Sequence, residues 1–220
     1  MQRSLQFARF LPEHGFEPVI VAGPLQGHNR WEPQDDSLQA NLPANTPIYR
    51  PETPAPPVGR AARIDRLLAR HNAKFRWWRA EVLELGRRAA REHDVALVYV
   101  SMSPSSGLEP ALSLGSELGL PVVADLRDPW ALDEAHPYLT AVHKRRELAY
   151  MRTHLPRADR ILMNTPEAGR VTRAALAVGG PEGNQQGRVR ISQIVLGVNF
   201  FGQIRLALAL EEVPGQHRKA

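Results

Sequence analysis

Apolar residues along the chain follow alternating helical and extended patterns. Residues 3–14 carry Leu and Phe at helical spacing, and Gly15 follows where a helix takes a left-handed cap. The short β-branched run at 18–23 predicts a buried strand. Residues 24–57 are rich in Pro, Asn and Gln and predict a long surface loop with one short strand at 47–50.

Beyond residue 93 the alternation becomes regular. Extended apolar runs at 96–100, 121–126, 160–163 and 189–196 alternate with helical patterns at 108–118, 143–155 and 166–177. Strands separated by helices indicate a parallel sheet. We therefore expect an α/β fold, a Rossmann-like parallel sheet flanked by helices, over residues 1–178. Residues 179–220 are expected to form a junction and a tail that includes the apolar run 204–210.

The most periodic segment is 58–93, which predicts one long amphipathic helix. Its apolar stripe consists of Ile64, Leu68, His71, Phe75, Trp78, Val82, Leu85 and Ala89. Arginines dominate the other face, and they suit an anionic membrane surface or nucleic acid. Alternatively, the stripe is ordinary core and the arginines are a solvated face, which is the commoner arrangement in globular domains.

Composition changes this picture in two respects. The chain has 28 Lys and Arg against 23 Asp and Glu, a net charge of +5, which favours anionic partners. It has no cysteine, so disulfides, thiolate metal sites and cysteine nucleophiles are excluded. No apolar run approaches the ~20 residues that span a bilayer, and we expect a cytoplasmic protein, peripheral at the inner face of the plasma membrane if it binds lipid.

Candidate chemistry lies where the predicted strands end, because ligands of parallel α/β sheets bind beyond the carboxyl ends of the strands. After the strand at 96–100 come Ser101, Ser103 and Ser105, whose hydroxyls suit a phosphate or a sugar oxygen. The alternative is that these serines cap the following helix. Another loop of this kind, Asn164-Thr165-Pro166, follows the strand at 160–163.

The segment 125–130 reads Asp-Leu-Arg-Asp-Pro-Trp and places two carboxylates, a guanidinium and an indole at the end of one strand. A carboxylate there suits orienting a hydroxyl or taking its proton, and Arg127 suits holding an anionic ligand or Asp128. The alternative is an Asp–Arg pair that pins the loop, with Trp130 filling a gap beneath it. Metal-ligand spacing, a Walker sequence, a dinucleotide-binding Gly loop and a nucleophile elbow are all absent from the sequence, so we predict no cofactor and no metal.

Four stretches of the chain resemble the family-four retaining glycosyltransferases, in the branch that modifies envelope or capsular polysaccharides. They are 3–15, 98–104, 121–130 and 158–166. Of these, only the stretch around 125–130 is specific, where it resembles an Asp-aromatic-Arg-Asp-Pro-Trp loop of that branch. The other three are shared by many α/β chains.

The resemblance implies that residues 1–178 form the amino-terminal, acceptor-side half of a GT-B fold. Its reaction is retaining hexosyl transfer from a nucleotide-sugar to a polysaccharide or lipid-linked acceptor, without a bound metal. Asp128 is then the catalytic candidate. The acceptor-binding candidates are Arg127, Trp130, Ser101, Ser103, Ser105, Arg3 and Ser4.

The sequence departs from that family at both ends. Neither the strand nor the glycine-rich loop expected before residue 3 is present, and only about twenty residues follow the junction at Asn199, too few for a nucleotide-sugar domain. We therefore expect little transfer by this chain alone. The alternative is a non-catalytic binding module that docks on a membrane, through the 58–93 helix, or on a partner enzyme. Nucleic acid is not expected, because aromatic residues are not interleaved with the arginines.

Overall fold

The computed structural model describes residues 2–23, 42–52, 64, 79–102, 105–134, 138–177, 191–198 and 204–209. The chain divides into two compact units, unit one over Met1–Pro121 and unit two over Val122–Ala220.

Unit one begins with helix α1, Gln2–Phe10, which continues as a 3₁₀ turn over Leu11–His14. The turn tightens because Pro12 has no N–H to donate and its ring crowds the carbonyl one turn earlier. Gly15 ends the turn with φ 80°, and its N–H bonds to Leu11 and Pro12 carbonyls. The predicted helix and its left-handed glycine cap are confirmed, with a 3₁₀ last turn.

Two short parallel strands follow, β1 at Ile20–Val21 and β2 at Ile48–Tyr49. Helix α2, Arg79–Glu92, packs against β1. This helix confirms the carboxyl-terminal part of the long helix predicted at 58–93. The rest of that prediction lies outside the described residues, except Ile64, which is helical.

Strand β3, Val98–Ser101, leads through a 3₁₀ turn at Ser105–Gly107 into helix α3, Leu108–Leu118. Helices α2 and α3 approach closely at Gly86, where an added Cβ would lie 2.7 Å from Cδ2 of Leu114. A side chain at Gly86 would therefore require the end of the Leu114 side chain to shift.

Unit two contains strands β4 (Val122–Leu126), β5 (Arg160–Met163), β6 (Ile191–Val198) and β7 (Ile204–Ala209). Strands β4, β5 and β6 are parallel neighbours, whereas β7 pairs antiparallel with β6. Helices α4 (Ala141–His154) and α5 (Pro166–Ala177) complete the unit, and α5 packs on β5 and β6. The core of the unit includes the buried residues Val122, Ala124, Leu126, Met151, Leu155, Ile161 and Met163.

The structure is therefore an α/β fold with short parallel sheets flanked by helices. It differs from the prediction in two details of unit two. Helix α4 begins at Ala141 rather than His143, because Thr140 caps it by accepting a hydrogen bond from the His143 N–H. The apolar run in the tail forms β7, whose antiparallel direction a hydrophobic pattern does not specify.

Candidate functional site

The predicted site residues fall into two groups, one in each unit. Unit two holds the segment after β4, and unit one holds the serines after β3 together with the first turn of α1. Ser103 lies outside the described residues. Each group is built by its own elements.

In unit two, the segment after β4 starts from a buried strand. Asp125 is 2% exposed and pairs in register with Leu162 of β5, while Leu126 is 1% exposed. The chain then leaves the sheet, and Arg127 and Asp128 turn outward with side chains 73% and 65% exposed. The two residues thus lie at the carboxyl end of a parallel strand, where the sheet offers a ligand-binding edge.

Arg127 and Asp128 do not lock each other in place. Nε of Arg127 is 3.9 Å from Oδ2 of Asp128, beyond hydrogen-bonding distance. An exposed pair at that separation contributes little to stability. The contact between Arg127 and Asp128 therefore does not by itself pin the loop, and both side chains are exposed.

Two other contacts hold this segment. The side-chain amide of Asn164, the first residue after β5, donates a hydrogen bond to the backbone carbonyl of Arg127. The indole Nε1 of Trp130 donates to Oε1 of Glu147 on α4 at 3.2 Å. The segment is thus fixed at its start by the neighbouring strand and farther along by a helix.

Trp130 itself has an uncommon backbone conformation. Its φ is 50°, whereas a bulky side chain strongly prefers negative φ. Its N–H bonds to the Asp128 carbonyl at 2.7 Å, and a 3₁₀ turn follows over Trp130–Leu132. Positive φ at such a residue costs roughly 1–3 kcal/mol and is concentrated at functional sites. The half-buried indole compensates through Glu147 and through an edge contact with the Tyr150 ring, 6.1 Å between centroids.

A row of aromatic rings extends from this turn along α4. Tyr150 meets Trp130 at one side and stacks on His154 at the other, with centroids 3.9 Å apart and ring planes 13° apart. Beside the row, burial and the carboxylates of Glu147 and Asp133 raise the pKa of Tyr138 to about 12. Tyr138 therefore keeps its hydroxyl proton, and stays a hydrogen-bond donor, to a higher pH than an ordinary tyrosine.

In unit one, the serines after β3 do not occupy the cap position of the helix that follows them. Ser101 is the last residue of β3 and Ser105 the first of the 3₁₀ turn. The amino-terminal cap of α3 is Gly107, which forms no side-chain capping bond. The cap position of α3 is therefore Gly107 rather than a serine, because the 3₁₀ turn places the first residue of the helix at Leu108.

The same turn contains a polar atom that the sequence did not single out. The hydroxyl oxygen of Ser106 is buried and has no hydrogen-bond partner among the described residues. The turn lies tightly on β3, since a Cβ at Gly107 would come within 3.1 Å of Val100. Burying a hydroxyl without a partner is costly.

Arg3 and Ser4 lie in the first turns of α1, and both are half-buried. The Arg3 guanidinium lies 5.8 Å from the centre of the Phe7 ring, and Phe7 meets Tyr99 of β3 at 5.2 Å. α1 thus rests on β3 through aromatic rings, with Arg3 one turn away from that contact.

Sequence reasoning missed three residues near the segment after β4, namely Glu147, Tyr150 and Tyr138. Asn164 belonged to a loop named as a candidate, but nothing in the sequence paired it with Arg127, 37 residues away. In the same loop, Thr165 has a structural task, because its Oγ1 accepts from the Ala168 N–H and caps α5.

No family model matches the chain, and no curated protein is significantly similar to it. Within the described residues, no group of three or more His, Cys, Asp or Glu side chains is arranged to hold a metal ion. In that same part of the chain, every helix is too short or too polar to cross a membrane. The site's chemistry therefore has to be inferred from its own geometry.

Proposed function

We propose that this chain binds the saccharide acceptor of a retaining glycosyltransferase of the GT-B class, with Arg127 and Asp128 as the residues that contact the sugar. The observation that carries the proposal is the outward-facing Arg127–Asp128 pair at the carboxyl end of β4. A strained turn holds the pair there, fixed by Asn164 and Glu147.

The chemistry of the pair matches that of a sugar. A saccharide presents hydroxyls that both donate and accept hydrogen bonds, and its ring oxygen accepts only. The guanidinium of Arg127 supplies donors in a planar fork, and the carboxylate of Asp128 supplies acceptors. Because the two groups stand 3.9 Å apart, adjacent hydroxyls of one sugar ring can bridge them.

In the proposed reaction, the acceptor hydroxyl forms a bond to the anomeric carbon of the nucleotide-sugar, the bond from that carbon to the diphosphate breaks, and the hydroxyl proton passes to the departing diphosphate. Asp128 accepts a hydrogen bond from the attacking hydroxyl and orients it, and Arg127 fixes the acceptor ring. The nucleotide-sugar belongs to a carboxy-terminal domain in this class of fold. The roles predicted for Ser101, Ser103, Ser105, Arg3 and Ser4 stay predictions.

The strain at Trp130 supports a functional purpose for the turn. A backbone outlier persists when the surroundings over-determine it, and it commonly marks a place where side-chain direction matters more than stability. Here the outlier immediately follows the two exposed side chains, and the strained residue is fixed by a helix rather than by them.

Ligand binding tests the proposal directly. Saturation-transfer NMR against a panel of soluble oligosaccharides should identify a binder, whose affinity calorimetry then measures. Asp128→Ala and Arg127→Ala should each weaken binding about 10- to 100-fold, the usual loss for one hydrogen bond to a charged group. Glu134→Ala is the matched control, because Glu134 is also an exposed carboxylate in the connection from β4 to α4.

Transfer is measured separately, with labelled nucleotide-sugars and a nucleotide-sugar-binding domain supplied in the assay. Binding of a saccharide that is lost in Asp128→Ala and Arg127→Ala, followed by transfer, supports the whole proposal. Binding without transfer under any donor indicates a sugar-binding module instead. Equal affinity in Asp128→Ala, Arg127→Ala and Glu134→Ala contradicts the assignment of the site.

A further inference from the structure

The start of helix α4 carries apolar side chains that face outward. Leu139 is 75% exposed and Val142 is 54% exposed. Their neighbours turn inward: Tyr138 is partly buried beside Glu147 and Asp133, and His143 is held against Thr140. Leu139, two residues before α4, and Val142, in its first turn, therefore both expose apolar side chains at the start of the helix.

Three cations follow directly on the same helix. Lys144, Arg145 and Arg146 are all exposed, and between Leu139 and Arg146 the sequence contains no carboxylate. Residues three and four apart are neighbours on a helix surface, so Arg145 and Arg146 lie beside Val142. The carboxylate of Glu147, next in sequence, is turned toward Trp130. Lys144 lies on the other side of Arg145 from Val142, because residues two apart do not share a helix side. We call Leu139, Val142, Lys144, Arg145 and Arg146, all exposed at the start of α4, the α4 patch.

The position of these cations is unfavourable for the helix itself. The amino end of a helix carries the positive end of the dipole and favours acidic residues, yet the first turn of α4 has none and includes Lys144. Within the described part of the chain, none of the three cations forms an ion pair that would compensate. Local stability therefore does not explain their placement, and an anionic partner does.

We propose that the α4 patch docks the protein on an anionic lipid bilayer. Leu139 and Val142 enter the boundary between headgroups and acyl chains, and Lys144, Arg145 and Arg146 contact lipid phosphates. A nucleic-acid backbone would satisfy the cations but gives the leucine and valine no apolar environment. This inference rests on unit two alone and does not depend on the sugar-binding role of Arg127 and Asp128.

Each cation near an anionic membrane surface contributes roughly a fivefold gain in partitioning, so the three together contribute on the order of 100-fold. Burying one leucine side chain contributes roughly tenfold. The cationic part of the binding weakens with salt, because the Debye length falls as ionic strength rises.

Co-sedimentation of the full chain with vesicles tests the patch. Vesicles of phosphatidylcholine with about one-third phosphatidylglycerol should bind the protein at low salt, and pure phosphatidylcholine vesicles should bind it far less. The triple variant K144Q/R145Q/R146Q should lose binding on the order of 100-fold. The double variant L139S/V142S should lose at least tenfold and leave the salt dependence of the remainder unchanged.

A charge-matched control separates the patch from net charge. R157Q/R170Q/R173Q also removes three exposed cations of unit two, at positions outside the α4 patch. Circular dichroism and thermal melting confirm that each variant is folded. Retained binding by this control, with loss in K144Q/R145Q/R146Q, supports the proposal.

Three results would overturn it. They are equal loss in both triple variants, absence of binding to the anionic vesicles, and binding of short duplex DNA through the same three cations without vesicle binding. Soluble-oligosaccharide affinity should be the same in K144Q/R145Q/R146Q as in the native chain. A wrong membrane-docking proposal can therefore be distinguished from a wrong saccharide-binding proposal.

Discussion

The Nε1–H of Trp130 donates a hydrogen bond to the carboxylate of Glu147, 3.2 Å away, and so fastens the turn after β4 to the middle of α4. This hydrogen bond helps to hold the turn in its conformation, and its contribution to the free energy of unfolding can be measured.

At position 130, glycine should give a more stable protein than alanine. Both substitutions remove the indole and its bond to Glu147, but only glycine adopts φ 50° without a steric penalty. We expect Trp130→Gly to be more stable than Trp130→Ala by about 1 kcal/mol, the reverse of their usual order. Urea denaturation of the two variants measures the difference. Ala131, which follows in the turn and is not an outlier, is the control site, where glycine should be the less stable of the two.

The contact between α2 and α3 predicts a non-additive pair. In the native chain, Gly86→Ala should be destabilising by about 1 kcal/mol, because the new methyl group overlaps the end of the Leu114 side chain. After Leu114→Ala the overlap disappears, and Gly86→Ala should then stabilise α2 by about 0.5–1 kcal/mol through helix propensity. A double-mutant cycle of unfolding free energies checks the change of sign. Additive effects would contradict the close approach.

Stability should fall in acid through the carboxylates of α2 and α3. Hydrogen bonds from Arg91, Tyr49 and Arg87 lower the pKa values of Glu84, Glu92 and Glu117 respectively below 4.5. The unfolded chain protonates these groups first, so their contribution is complete above pH 4.5 and is lost as pH falls through the folded pKa values.

Melting temperatures recorded at falling pH test this expectation. The native protein should lose stability below pH 4.5, and Glu117→Gln should flatten the acid limb of the profile. Glu13→Gln changes an exposed carboxylate of the first 3₁₀ turn and is the control. High salt should reduce the effect, because these pairs are exposed. An identical acid limb in Glu117→Gln and the native chain would count against the ion pair with Arg87.

Tyr138 should ionise at a higher pH than an ordinary tyrosine. Burial, and then Glu147 and Asp133, raise its pKa to about 12. The unfolded chain loses this proton near pH 10, so the free energy of unfolding should decrease, and the protein become less stable, as pH rises from 10 to 12. Tyrosinate absorbance of the native protein and of Tyr138→Phe isolates the transition. Glu147→Gln should lower the pKa without restoring it to 10, because burial is the larger cause.

Much of the fold follows from local pattern. Helix α3 at Leu108–Leu118, strand β5 at Arg160–Met163 and helix α5 at Pro166–Ala177 have the predicted bounds, because each is a compact apolar period between clear stop signals. Gly15 is the left-handed cap that its position indicated. Here the residues that decide the structure are neighbours in sequence.

The candidate site was predictable only in its location. The position of Arg127 and Asp128 at the end of β4 follows from the strand pattern, since ligand sites of parallel sheets lie at that edge. The contacts that hold the turn do not follow from the strand pattern, because Asn164 lies 37 residues from Arg127 and Glu147 lies 17 residues from Trp130. Such pairings depend on how strands and helices pack, which no local period encodes.

The anchored indole also has a spectroscopic consequence. Indole emission responds to hydrogen bonding at Nε1 and to nearby charge, and Trp130 has a carboxylate at that nitrogen and a tyrosine ring at its edge. With Trp31, Trp77 and Trp78 replaced by phenylalanine, fluorescence would come from this turn alone. Trp130 is thus an intrinsic fluorophore two residues from Asp128 and three from Arg127, so its emission can report a ligand that binds to them.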